Sequence, residues 1–251
     1  MVDALILAGS PNNGPLKDCS KARYEALITI GQKSMIEHVV DALAGCSLVD
    51  RIVVVGPQKE LTGVLGERKV IIGNVSGNVT DNVVMGLKQI PDANRVLLAT
   101  SDIPLLTPQA IEDFLSQCQD QEADLYYPIV PREVVESKFA NSPRTYVNLR
   151  EGVFTGGNVF LLNPAIVEEC IPKGQEIIKA RKSPLQLCRL VGLMFLLKFL
   201  TRSITLSEAQ EKVSRLLGIR GRVVISGYPE VGVDVDKPSD LDMIIRLMGP
   251  A

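Results

Sequence analysis

The feature that most constrains the fold is a series of short apolar runs, each followed by a helical pattern. The runs cover residues 5–7, 51–55, 69–73 and 95–100, and within them apolar residues are continuous rather than alternating. Continuous runs of this length predict strands that are buried on both faces of a parallel sheet. Strands alternating with helices are typical of the α/β class, in which helices cover both faces of a mainly parallel sheet.

The second half of the sequence predicts additional strands and a helical elaboration. A fifth strand is expected at 125–130, two more at 144–149 and 153–162 around the turn 150–152, and later strands at 223–225 and 231–236. Residues 164–218 are predicted to be largely helical, with helix-start signals at Ser183 and Pro184, and Lys237 precedes a final helix. Since no repeat or linker separates these parts, we expect one domain over 1–251, with the elaboration at about 164–218.

Composition excludes several classes of function. The net charge is −2, tryptophan is absent and there is no basic tail, which argues against a nucleic-acid partner. The five cysteines are scattered and never form a C-x-x-C pair, so neither a zinc site nor a disulfide framework is expected. This cysteine usage and the lack of a signal-peptide pattern predict a cytoplasmic protein.

The most apolar stretch, residues 190–200, is too short to cross a membrane. A spanning helix needs about 20 apolar residues, and Lys198 interrupts this one. We therefore expect no transmembrane segment and interpret the stretch as a buried helix. The alternatives are peripheral membrane contact and burial in a homodimer interface.

A loop rich in small residues follows the first strand. Residues 8–15 contain glycine, proline and asparagine, and Lys17, Lys21 and Arg23 come next. Glycine lets the backbone approach a ligand closely, exposed N–H groups bind oxyanions, and cations neutralise them. The loop is either a phosphate-binding segment or merely a permissive turn.

The fourth strand ends at Ser101 and Asp102. In open α/β sheets ligands bind at the carboxyl ends of the strands, and a carboxylate there suits Mg²⁺. The alternative for Asp102 is a turn-forming residue before Pro104. Paired glycines at 156 and 157 interrupt an apolar strand and indicate a bulge or a ligand lying against the backbone.

Four segments together resemble the MobA-like nucleotidyltransferases of the GT-A-type pyrophosphorylase superfamily. They read ALILAGS…EALITIGQKSMIEHVVDAL, LLATSDIPLLTPQAIEDF, TGGNVFLLNP and VDVDKPSDLD. They occur in the family's order and span nearly the whole chain. The resemblance implies a Rossmann-like, three-layer GT-A domain with a mixed, mainly parallel sheet, and with the helical region inserted before the last strand.

The resemblance also implies a reaction. A phosphorylated small molecule attacks the α-phosphate of a nucleoside triphosphate, pyrophosphate leaves, and Mg²⁺ or Mn²⁺ assists. Asp102 matches the family's metal aspartate, and Asp234 or Asp236 would be the second ligand, with spacing in favour of Asp234. The implied nucleotide-binding residues are Leu7, Ala8, Gly9, Ser10, Asn78, Asn82 and Ser101, although helix capping would also explain Asn78. The implied acceptor-binding residues are Gly156, Gly157, Asn158 and Lys182.

The sequence departs from the family pattern around the phosphates. Ser10 replaces the second glycine of the signature, Glu25 stands where the pattern has lysine, and the signature arginine has no counterpart. A carboxylate at that place repels a triphosphate. Either Lys17, Lys21 or Arg23 assumes the role of the family lysine, with the two lysines as the catalytic candidates, or the chain is a catalytically weakened nucleotide-binding or regulatory relative. A GT-A glycosyltransferase is a third reading, although such an enzyme would carry D-x-D at the metal strand rather than Ser-Asp-Ile-Pro.

Overall fold

A computed structural model describes residues 1–75, 77–119, 122–139, 144–180, 186 and 190–249. In these residues nine strands form one mixed, mainly parallel sheet, and a two-stranded ribbon stands apart from it. The sheet strands are β1 (Val2–Leu7), β4 (Val49–Gly56), β5 (Ile71–Asn74), β6 (Val96–Thr100), β7 (Leu125–Pro131), β8 (Val147–Leu149), β9 (Gly152–Gly156), β10 (Val159–Leu162) and β11 (Gly221–Ile225). The ribbon pairs β2 (Thr29–Ile30) with β3 (Lys33–Ser34).

The described helices lie between strands along the chain, apart from the last one, which follows β11. They are α1 (Met35–Ala44), α2 (Gln58–Leu65), α3 (Val79–Leu87), α4 (Pro108–Ser116), α5 (Arg132–Lys138), α6 (Val167–Ala180), α7 (Leu193–Leu200), α8 (Leu206–Leu217) and α9 (Pro238–Met248). Several begin at caps that the sequence predicts: Asn78 accepts N–H groups at the start of α3, and Thr107 does so at α4.

The order of the strands places two of the predicted site segments next to each other. Strands β5, β4, β1 and β6 run parallel in that order, and β10 joins β6 in the antiparallel sense. The carboxyl ends of neighbouring β1 and β6 therefore lie at one edge of the sheet. The loop at 8–15 leaves that edge beside Asp102.

Two apolar clusters cover the two faces of the sheet. Alternate residues of each strand point to opposite faces, so Leu97 and Ala99 pack toward α1, α2 and α4, whereas Val96 belongs to the cluster that includes residues of α3 and α6. A third cluster joins the loop after β1 to α9 through Leu16 and Ile244. Burial on both faces explains why the central strands read as continuous apolar runs.

The structure confirms the α/β class with a mixed, mainly parallel sheet. It corrects three local predictions, two of strands and one of a buried helix. Residues 153–162 form two strands, β9 and β10, separated at Gly157 and Asn158. Residues 231–236 form no strand, because a 3₁₀ turn over Pro229–Gly232 leads into an irregular segment. The helix start expected at Ser183 and Pro184 lies outside the described residues.

The third correction concerns the apolar stretch at 190–200, which is not a buried helix. Helix α7 leaves Met194 70% and Leu200 69% exposed, and Leu197 and Phe199 are also exposed. Its Lys198 pairs with Glu208 of α8 at 2.6 Å. No helix in the described ranges is both long and apolar enough to cross a membrane. Membrane contact and homodimer formation through α7 stay predictions.

Gly86 provides a test of how closely α3 packs on β1. A Cβ at Gly86 would lie 2.2 Å from Cδ1 of Leu5, which is fully buried. We expect Gly86→Ala to lower the free energy of unfolding by about 1–3 kcal/mol, as overpacking typically does. Urea denaturation measures this change.

Gly63→Ala in α2 is the matched control. A Cβ at Gly63 would have no neighbour within 4 Å. Alanine there should stabilise the protein by about 0.5–1 kcal/mol, because alanine favours the helix. Equal effects of the two substitutions would contradict the close packing inferred at Gly86.

Candidate functional site

The site is assembled at the carboxyl ends of β1 and β6, beginning with the backbone of the loop after β1. Ala8 is fully buried. A Cβ at Gly9 would lie 3.3 Å from Cγ2 of Val75 and 3.4 Å from Nδ2 of Asn82. Gly9 is therefore a place of close approach between this loop and the start of α3, and a larger residue would force its neighbours apart.

The loop folds back onto the segment at 20–25. The N–H of Glu25 donates to the carbonyl of Ser10 at 3.0 Å, and the N–H of Asn12 donates to the carbonyl of Arg23 at 2.9 Å. The buried Asn12 side chain donates to the carbonyls of Ser20 and Ala22 at 3.1 and 3.0 Å. Asn12 thus fastens the loop, a role that sequence reasoning missed because it depends on contacts with a later segment.

The predicted cations lie at the surface of this loop. Lys17 and Lys21 are both exposed, and neither forms an ion pair with another described residue. Glu25 is only half-buried, and its negative charge contributes to raising the pKa of Asp102. The position that the family pattern gives to lysine is therefore acidic and close to the predicted metal aspartate.

Asp102, Asp234 and Asp236 come together as the resemblance implies. One carboxylate oxygen of each lies within 4.8 Å of those of the other two. Burial raises the pKa of Asp102, and the charges of Asp236 and Glu25 raise it further. Burial also raises the pKa of Asp234, where the repulsion by Asp236 adds to the effect and the attraction by Arg144 opposes it. Three partly buried carboxylates that repel one another are stabilised by a bound cation.

Backbone contacts align the two segments that carry these aspartates. The N–H of Val235 donates to the carbonyl of Asp102 at 2.9 Å, which places residues 234 and 236 beside the end of β6. The N–H of Asp236 donates to Oδ2 of buried Asp240 at 3.2 Å. The start of α9 therefore holds the irregular segment that follows the 3₁₀ turn.

Arg144 is a site residue whose position the sequence does not reveal. Its guanidinium forms an ion pair with Asp234, donates to the carbonyl of Asp234 at 2.7 Å and lies 3.7 Å from Asp240. The side chain of Arg144 is 6% exposed and that of Asp240 is 2% exposed. Arg144 thus neutralises part of the aspartate cluster from the inside. Its separation of 90 residues from Asp234 leaves no local signal of the pair.

The other residues predicted to contact the nucleotide differ in burial and in hydrogen bonding. Asn78 is exposed, and its side-chain oxygen accepts the N–H groups of Thr80 and Asp81, so helix capping occupies it. Asn82 is buried below Gly9. Leu7 ends β1, and Ser101 is buried directly before Asp102.

The predicted acceptor residues lie where β9 passes into β10. Gly157 donates its N–H to the carbonyl of Pro128 at 2.8 Å, and Asn158 donates its N–H to the carbonyl of Val231 at 2.9 Å. Gly156 lies against the end of the Tyr127 side chain, because a Cβ at this position would be 1.8 Å from the tyrosine hydroxyl oxygen and would displace the ring. Lys182 lies outside the described residues.

The donor set of the aspartate cluster fits a hard divalent cation. Mg²⁺ and Mn²⁺ prefer carboxylate oxygens. The Oδ1 atom of Asp102 is buried and has no hydrogen-bond partner in the described part of the chain. Asp236 is exposed, and its carboxylate forms no ion pair with another described residue, so it is available without breaking the Arg144–Asp234 pair. The geometry thus favours Asp236 as the more available second ligand, whereas sequence spacing favours Asp234.

Comparisons with solved structures show the same fold. A hypothetical transferase from Thermus thermophilus has a TM-score of 0.84 and 37% identity, covering 96% of this chain and 99% of that one. A CMP:2-keto-3-deoxy-manno-octonic acid synthetase complexed with CTP has a TM-score of 0.64 and 14% identity, covering 99% and 98%. A nucleotidyl transferase from Methanothermobacter thermautotrophicus has a TM-score of 0.58 and 15% identity, covering 98% and 99%. At their low identities, the last two show a shared fold alone.

Comparison with family models covers most of the segments that carry the resemblance, but not the opening residues 4–10 or the last segment at 233–242. No curated protein matches the chain. Residues 20–174, more than half of the sequence, match the model of the MobA-like NTP transferase domain. The chain therefore belongs to the MobA-like NTP transferase family.

Proposed function

We propose that this protein transfers a nucleotidyl group from a nucleoside triphosphate to a phosphorylated small molecule, with release of pyrophosphate and dependence on Mg²⁺ or Mn²⁺. The observation that carries the proposal is the convergence of Asp102, Asp234 and Asp236 within 4.8 Å, in a chain of the NTP transferase family. The CTP bound by the structurally similar synthetase supports a nucleoside triphosphate as donor.

In this proposal the nucleotide and the metal ion are bound by different residues of the chain. The loop at 8–14, fastened by Asn12, presents its backbone to the base and phosphates, with Gly9 allowing close approach. Asp102 and Asp236 would hold the divalent ion together with Asp234, which Arg144 keeps in place. When bound, the ion would supply charge neutralisation for the phosphates.

The transfer is a single in-line displacement. An acceptor phosphate oxygen forms a bond to the α-phosphorus, the bond from that phosphorus to the β-phosphate oxygen breaks, and its electron pair leaves with pyrophosphate. The attacking oxygen is already anionic, so no protein base is required. Catalysis then consists of positioning and charge neutralisation.

Lys17 and Lys21 are proposed to supply the positive charge that the family pattern provides with a lysine at the position of Glu25. Both are exposed on the loop beside the site and form no ion pair with a described residue, so either can turn toward a triphosphate. The acidic Glu25 beside Asp102 also supports a second candidate function, a weakened nucleotide-binding or regulatory relative.

Asp102→Asn tests the central role of the cluster. We expect pyrophosphate release to fall by at least about a hundredfold, the typical cost of removing a major electrostatic contact. The assay combines each of the four ribonucleoside triphosphates with Mg²⁺ and a panel of phosphorylated acceptors. Binding of each triphosphate is titrated alongside it.

Asp92→Asn is the matched control, because Asp92 is exposed and pairs with Arg51, away from the cluster. It should leave pyrophosphate release unchanged. Release that survives Asp102→Asn would contradict the proposed site. Mg²⁺-dependent triphosphate binding without release for any acceptor would favour the regulatory alternative.

The two lysines generate a separate prediction. We expect the double variant Lys17→Ala, Lys21→Ala to lower kcat/KM for the triphosphate by about 10²-fold or more, because charge stabilisation of the leaving phosphates is lost. Lys59→Ala, at an exposed lysine of α2, is the control. An unchanged kcat/KM in the double variant would exclude these lysines as replacements for the family lysine.

Arg144 is predicted to be essential for stability as well as for positioning Asp234. Arg144→Met leaves Asp234 and the buried Asp240 without their cation, and such losses cost about 3–5 kcal/mol. Arg215→Met, which breaks only the exposed ion pair with Glu211, should cost less than about 1 kcal/mol. Urea unfolding of both variants measures the difference, and similar losses would refute the buried role of Arg144.

A further inference from the structure

An apolar cavity of about 430 Å³ lies between the sheet and α8. It is formed by one face of β7, β8, β9 and β11 together with the inward side of α8. Every residue of α8 is at least partly exposed, which is unusual for a helix that covers a sheet. The lining is mainly apolar and includes Tyr127, Val147, Phe154, Ala209 and Val223.

The cavity wall contains few polar groups. Gln210 accepts the N–H of Val223 through its side-chain oxygen at 2.9 Å, and Ser214 bonds to the backbone of Gln210 and Gly221. The Tyr127 hydroxyl has no hydrogen-bond partner in the described ranges and lies beside Gly156. A mainly apolar pocket of this size with few polar groups is typical of a small-molecule site.

Three connections place this cavity next to the aspartate cluster. In the first, the N–H of Thr100 donates to the carbonyl of Asn158 at 3.1 Å. Asp102 follows Thr100 by two residues, and the cavity residue Gly156 precedes Asn158 by two residues. Arg144, which contacts Asp234, is three residues from the cavity residue Val147, a separation of at most about 11 Å along the chain.

The third connection runs through Thr155 of β9, which is one of the residues that line the cavity. A Cβ at Gly232, two residues before Asp234, would lie 3.1 Å from Cγ2 of Thr155. Strand β9 is therefore in contact both with the cavity and with the segment that leads to Asp234.

From this arrangement we infer that the acceptor is amphiphilic: its phosphate lies at the aspartate cluster and an aliphatic or similarly apolar group fills the cavity under α8. The inference rests on the proposed function, since it assigns the cavity to the acceptor of that reaction. The phosphate oxygen bonds to the α-phosphorus and pyrophosphate departs with the electron pair of the broken bond. The apolar group takes no part in bond formation.

A homologous series of alkyl phosphates tests the inference on the full chain. Ethyl, butyl, hexyl and octyl phosphate are titrated by calorimetry in the presence of Mg²⁺. We expect affinity to rise about fourfold for each added methylene that enters the cavity, which corresponds to the transfer of one CH₂ from water. Absence of measurable binding, or affinity independent of chain length, would overturn the inference.

Ala209→Trp fills the cavity from α8, and Ser207→Trp places the same side chain at an exposed position of that helix. Hexyl phosphate should bind at least tenfold more weakly to Ala209→Trp, whereas its binding to Ser207→Trp and the binding of ethyl phosphate to both should not change. Thermal unfolding shows that each variant is folded. Equal hexyl phosphate affinities in the two folded variants would overturn the assignment.

Triphosphate binding and pyrophosphate release separate this inference from the proposed function. If wild-type protein binds triphosphate with Mg²⁺ but shows no chain-length dependence, the apolar acceptor is wrong and nucleotidyl transfer stands. If chain-length dependence is present but no triphosphate binds, the proposed function fails and the cavity is not an acceptor site. Faster release with hexyl than with ethyl phosphate, lost in Ala209→Trp, supports both.

Discussion

The structure depends on holding three carboxylates close together where β6 ends. Like charges a few ångströms apart in a partly dry setting repel strongly, and burial raises the pKa of both Asp102 and Asp234. Such an arrangement persists only if the backbone enforces it and a cation compensates it. The hydrogen bond from the N–H of Val235 to the carbonyl of Asp102 holds the two backbone segments together. The positive charge of Arg144 offsets part of the repulsion between the carboxylates.

The break between β9 and β10 follows from the same constraint. Strand β10 pairs with β6, but Gly157 and Asn158 turn their N–H groups to Pro128 and Val231 instead of continuing the ladder. This arrangement lets β9 pair with the last part of β7 and brings the 3₁₀ turn at Pro229–Gly232 against Thr155. The final irregular segment can then return to the end of β6. One bulge thus positions both the aspartates and the wall of the apolar cavity.

Local and periodic features of the sequence predicted much of this fold, and long-range contacts explain the remainder. The central strands follow from continuous apolar runs, and Asn78 and Thr107 mark the starts of helices. Residues 231–236 alternate like a strand but form none, because their hydrogen bonds go to the end of β6 and to Asp240 rather than to a neighbouring strand. The exposed surface of α7 was missed because apolar composition alone does not tell which side a helix buries.

For the site, the family pattern predicted that Asp102 and an aspartate of the last segment lie together, and the three aspartates are close to one another. The role of Asn12 and the pairing of Arg144 with Asp234 were not predicted, since each depends on residues that are distant in sequence. The cavity was also beyond sequence reasoning. Its walls come from β7, β8, β9, β11 and α8, and an unfilled space leaves no mark in the pattern of apolar residues.

The replacement of the family lysine by Glu25 changes the charge balance that any substrate meets. The family pattern has a lysine at this position, whereas here Glu25 adds a fourth negative charge near Asp102, Asp234 and Asp236, and the buried Arg144 pairs with Asp234. A triphosphate entering this site is repelled unless mobile cations come with it. The surface lysines at 17 and 21 can move toward the nucleotide, but their exposure screens their charge and weakens it. Under the proposed function, a bound divalent ion would therefore have to supply most of the positive charge that the family pattern assigns to a fixed lysine. Nucleotide affinity in this protein should consequently depend more steeply on divalent cation concentration than in relatives that retain the lysine.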